Sequence, residues 1–92
     1  MEKHFVERIV TAADLYDEAI PNMPLVEIAG DRRVLIEHHC GVTQYGRCCI
    51  SVRVKFGTVV VLGTALELSR MTGQQLIISG NIDSIKLERS RL

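Results

Sequence analysis

The chain has no tryptophan and only two tyrosines and two phenylalanines in 92 residues. Proteins that grip single-stranded nucleic acid stack bases on aromatic faces, and this chain offers few. It also lacks an excess of either charge, since eleven Lys and Arg balance eleven Asp and Glu. Phosphate backbones call for a net positive field, so no nucleic-acid partner is expected. Long apolar runs are missing too. The longest, "TVVVLGTAL" at residues 58–66, falls far short of the ~18 residues that a membrane-spanning helix needs. The opening "MEKHFVERIV" carries charges where a secretory leader would be apolar. Three cysteines cannot form a closed disulfide framework. A soluble protein of a reducing cytoplasm is the expectation.

What is present is globular: 47% apolar and 24% charged residues. A domain this small is marginal by itself, so a partner or a homo-oligomer would help it. Residues 1–20 are expected to form an amphipathic helical segment. Phe5, Ile9, Ala12, Ala13, Tyr16 and Ile20 recur at three- and four-residue steps as one apolar stripe. The stripe would pack on its own domain or dock a partner. Pro21 disfavours helical geometry at Ile20 and ends the segment.

From Leu25 the period becomes two, and residues 21–92 are expected to form an all-β domain. The expected strands are "LVEIAG", "RVLIEH", "GVTQYG", "CCISVRVKF", "TVVVLG", "ALELSR", "QLIISG" and "IDSIKLE". Seven or eight short strands between glycine turns, at 57, 63 and 80 among others, indicate a small antiparallel β-sandwich. The alternation selects a core of Val34, Ile36, Val42, Ile50, Val52, Val54, Phe56, Val59, Val61, Leu66, Leu68, Leu76, Ile78, Ile82, Ile85 and Leu87. Val60 and Leu62 face away from Val59 and Val61, so that strand is apolar on both sides. Either the N-terminal helix covers the strip or it is a contact for another subunit or a partner. "VVVLGTALEL" and "LIISGNIDSIKL" echo one another weakly, as hairpins of one grammar do.

The conspicuous cluster is "IEHHCGVTQYGRCC", residues 36–49. Zinc sites take four convergent ligands, but neighbours on a strand point to opposite faces. His38 and His39 therefore diverge, as do Cys48 and Cys49. Cys48 is expected in the core, Cys49 on the surface and Cys40 in a turn. Cys40 beside His39 lacks a third orienting group for nucleophilic chemistry. Glu27, Glu37, Glu67, Asp83 and Glu88 are scattered, and no glycine loop cradles phosphate. No catalytic residue, metal, cofactor or small-molecule substrate is expected. The rival reading is a metal-binding or redox module built on Cys40, Cys48, Cys49 and His39.

Taken in order, the segments resemble the YabP/YqfC family of small sporulation proteins, and the YqfC branch more closely. The resemblance runs from about residue 20 to residue 88. It rests on Pro24 and Gly30, then Ile36, Glu37, His39 and Gly41, then Gly57, Val59, Val61, Gly63 and Leu66, and finally Ile78, Gly80, Ile82 and Ile85. His38 stands where the family pattern has Asn, and Cys40 where a basic residue is common. The resemblance implies a β-sandwich without known catalytic activity, made in the mother cell of endospore-forming bacteria. It implies a protein partner, an integral membrane protein at the forespore envelope. Glu37 and His39 would fix a turn by hydrogen bonds to backbone groups. The expected working surface is Val60 and Leu62 together with Phe5, Ile9 and Tyr16.

Overall fold

The computed structural model describes residues 23–90. The helix expected over residues 1–20 lies outside them. The described residues form six strands: β1 (Leu25–Ala29), β2 (Arg33–Glu37), β3 (Val42–Tyr45), β4 (Cys49–Val54), β5 (Gly57–Met71) and β6 (Gln75–Arg89). All pair antiparallel in one open sheet of order β1-β2-β6-β5-β4-β3. A sandwich of seven or eight strands was expected; six strands in one continuous sheet are found.

The difference has one cause. "TVVVLG" and "ALELSR" are a single strand, and so are "QLIISG" and "IDSIKLE". Gly63 and Gly80, expected to turn the chain, lie inside β5 and β6 instead. The pairing of these two long strands shifts between Leu62 and Gly63, between Thr64 and Glu67, and between Leu68 and Arg70. Such bulges bend a strand and increase its twist. At the bend the backbones come so close that only glycine fits. A Cβ on Gly63 would overlap the Asn81 carbonyl, and one on Gly80 would lie 2.6 Å from the Ala65 carbonyl oxygen. Gly80 also has φ +138°, and Ala65 opposite it has φ +53°.

The bend divides the sheet into two wings. In the first, β1 pairs with β2 and β2 with residues 75–79 of β6, whose other neighbour is residues 67–71 of β5. In the second, β3 pairs with β4 and β4 with residues 57–62 of β5, whose other neighbour is residues 84–89 of β6. The wings correspond residue by residue. Val34 faces Ile78 and Ile36 faces Leu76 in one; Ile50 faces Val61 and Val52 faces Val59 in the other. Gly80 N–H donates to the Arg32 carbonyl in the β1–β2 turn (3.1 Å), and Gly63 N–H donates to the Cys48 carbonyl in the β3–β4 bend (3.1 Å). The next bonds match too: Ile82 N–H to Asp31 (2.7 Å) and Leu66 N–H to Arg47 (2.8 Å). The weak echo in the sequence is thus an approximate twofold repeat of structure.

The buried apolar side chains come from both wings and make one cluster: Val34, Ile36, Leu76 and Ile78 from the first, Ile50, Val52, Val54, Val59 and Val61 from the second, and Leu66 from the bend. All were expected in the core. A flat sheet cannot bury so many side chains on one face, whereas the bulged hairpin lets the two inner faces share one core. Tyr45 of β3 reaches across to the other wing, where its hydroxyl lies 3.5 Å from the Leu68 N–H.

Two expectations fail at the margins. Leu87 pairs with core residue Val59 but is 61% exposed. In that stretch β6 pairs only with β5, so nothing in the sheet closes over it. Cys48, expected inside, is exposed, and Cys49 is half-buried. The strand begins at Cys49, and Cys48 belongs to the bend that holds Gly63.

Candidate functional site

The stretch from Ile36 to Gly41 connects the wings, and its residues divide the structural work. Ile36 is fully buried. Glu37 ends β2 and accepts a hydrogen bond from Gln75 Nε2 at 3.1 Å. His38, expected to continue the strand, instead breaks it with φ +61°. Its N–H donates to the Gln74 carbonyl at 2.6 Å. Left-handed backbone disfavours most side chains and tolerates Asn better, which gives the Asn of the family pattern a physical reason. Gly41 follows with φ +114°.

His39 is the latch. Gly41 N–H donates to its Nδ1 at 3.0 Å, and Nε2 lies 2.8 Å from the Thr72 carbonyl oxygen. A nitrogen that accepts from an N–H carries no proton, so Nε2 bears the hydrogen and donates it to Thr72. The ring thus ties the β2–β3 connection to the β5–β6 turn. The expectation that His39 holds backbone groups is met; Glu37 holds a side chain instead. Sequence reasoning missed the turn as the receiving end. There Thr72 Oγ1 accepts the Gln74 and Gln75 N–H groups at 3.3 and 3.1 Å. Its signal was the threonine one residue before Gly73, a hydroxyl placed to organise a turn.

The sulfurs and imidazoles are not gathered. Among the described residues no group of three or more His, Cys, Asp or Glu could hold a metal ion, which removes the basis of the metal-site alternative. Cys40 and Cys48 are exposed, and Cys49 Sγ lies 4.0 Å from Ser51 Oγ. A shallow cleft of about 260 Å³ is lined by Glu37, His38, Thr72, Gln74 and Gln75. The side chain of Glu37 and the backbone of His38 are bonded to Gln75 and Gln74, so these residues close the junction.

The remaining motif residues sit at strand starts, in a turn and at the bend. Pro24 leads into β1, Gly30 sits in the β1–β2 turn with φ +58°, and Gly57 opens β5. Gly63 and Gly80 form the bend.

Two apolar areas lie on the outer faces. On the second wing, Val60 is half-buried between Ser51 and Lys86, and Leu62, between Cys49 and Ser84, is 38% exposed. On the first wing, Leu35 and Ile77 face each other, both half-buried. They floor a groove of about 250 Å³ whose other lining residues are Glu27, Ile28, Ala29 and Arg33. Phe5, Ile9 and Tyr16 lie outside the described residues. No helix among the described residues is long and apolar enough to cross a membrane.

These features define a small all-β scaffold whose most distinctive sequence motif holds its two wings together. Residues 22–91 match the YabP family, and the chain belongs to that family. None of the curated proteins and none of the solved structures compared with it matches.

Proposed function

We propose that this protein is a non-enzymatic interaction module of the sporulation programme. It acts in the mother-cell cytoplasm and binds an integral membrane protein at the forespore envelope. Within the family it falls in the YqfC-like branch, on the strength of Ile36, Glu37, His39 and Gly41. Family membership carries the link to spore formation. The observation favouring a contact role is the Val60 and Leu62 strip, apolar side chains on the outer face of a wing whose core is already complete without them. Such a patch suits a protein partner. The fold alone does not assign a function.

The test is cross-linking in sporulating cells followed by capture from the membrane fraction, with wild type and the Val60→Glu, Leu62→Lys variant side by side. The proposal expects a membrane protein joined to wild type and absent from the variant, with the variant still folded by circular dichroism. Equal capture by both would remove the strip from the interface. Capture of only further copies of the same chain would replace the membrane partner with a homo-oligomer, and unfolding of the variant would make the strip part of the core.

A further inference from the structure

We infer that the N-terminal segment of this same chain docks on the outer face of the first wing, over Leu35 and Ile77, and leaves Val60 and Leu62 exposed to others. Three observations lead there. First, that face has a seat: the groove of about 250 Å³ floored by Leu35 and Ile77. Second, the segment is tethered at its border. The chain enters the sheet at Pro24 and Leu25, and β1 is the outermost strand of the first wing. Leu25 shares the outer face with Glu27, which pairs with Leu35. Val60 and Leu62 lie on the other wing, across the bend. Third, the segment has the matching sequence: the stripe of Phe5, Ile9, Ala12, Ala13, Tyr16 and Ile20.

Length agrees. Four strands span three gaps of about 4.8 Å, or roughly 14 Å. A helix over residues 2–20 is about 28 Å long at 1.5 Å per residue, enough to cross the wing. Pro21 disfavours helical geometry at Ile20, so such a helix would stop short of β1, with residues 21–24 between them. The inference does not depend on the reading of the Val60 strip, because it concerns the opposite wing.

The test uses the full chain with Cys40, Cys48 and Cys49 replaced by serine and a nitroxide attached through Thr11→Cys, off the apolar stripe. The label should broaden the methyl signals of Leu35 and Ile77 beyond half their intensity and spare those of Val60 and Leu62. Leu35→Lys should release the segment and abolish the broadening at Ile77, while the Ile50 and Ile78 signals keep their positions. A second sample mixes nitroxide-bearing chains that are isotopically silent with isotope-labelled chains that carry no nitroxide. It should show no broadening. Broadening at Val60 and Leu62, broadening at neither face, or broadening in the mixed sample would each overturn the inference.

Discussion

The two wings carry matching residues on the inside and unlike residues on the outside. Val34, Ile36, Leu76 and Ile78 in the first correspond to Ile50, Val52, Val59 and Val61 in the second, and all are fully buried. On the outer faces the cross-strand pair Leu35 and Ile77 corresponds to Ser51 and Val60. The edges differ too. β1 pairs with β2 in regular register, whereas β3 shifts register against β4 between Val42 and Gln44. A shared core constrains the inner faces alike, because packing penalises any misfit there. The outer faces are released from that constraint, and there the wings differ.

Substitutions can break this comparison or sharpen it. The largest effect is expected at the bend. Gly63→Ala and Gly80→Ala each force a Cβ into opposing backbone, and each should cost on the order of 3 kcal/mol or more. The two losses, read from urea unfolding, should be similar, as the repeat implies. Removing the latch comes next. His39→Phe keeps the ring but loses the bonds to Gly41 and Thr72, with an expected cost of about 1–2 kcal/mol. His38→Asn should act in the opposite sense, because left-handed backbone suits Asn better. A gain of about 0.5–1 kcal/mol, seen as a higher Tm, is the expected outcome. Ala65→Gly relieves the same kind of strain at an exposed position in the bend and should stabilise by about 0.5 kcal/mol.

Much of this was legible in the sequence. Alternation in "CISVRV" put Ile50, Val52 and Val54 inside and Arg53 outside, as found. It worked because a strand sends neighbours to opposite faces whatever its partners are. The strand count was not legible, because Gly63 and Gly80 look the same in sequence whether the chain turns or bulges. Only the proximity of Asn81 and Ala65, set by pairing, decides between the two. Leu87 failed for a similar reason. Its parity was right, but burial needs a neighbouring strand, and periodicity does not reveal where a sheet ends. At the connection, backbone partners were expected for both Glu37 and His39; His39 has them, whereas Glu37 bonds the Gln75 side chain, and Gln75 and Thr72 lie far along the chain with no local sign of these contacts. The Leu35 and Ile77 groove escaped notice because the two residues meet only when β2 and β6 pair.

That two wings share one core is tested most directly by native-state amide hydrogen exchange on wild type, Ile50→Ala and Ile78→Ala. Both substitutions empty a fully buried site and should cost about 2–5 kcal/mol. The amides of residues 34, 36, 76 and 78 and those of 50, 52, 59 and 61 should open with one common free energy. Either substitution should lower that value equally in both wings. A loss confined to the wing that carries the substitution would show two cores and contradict the account.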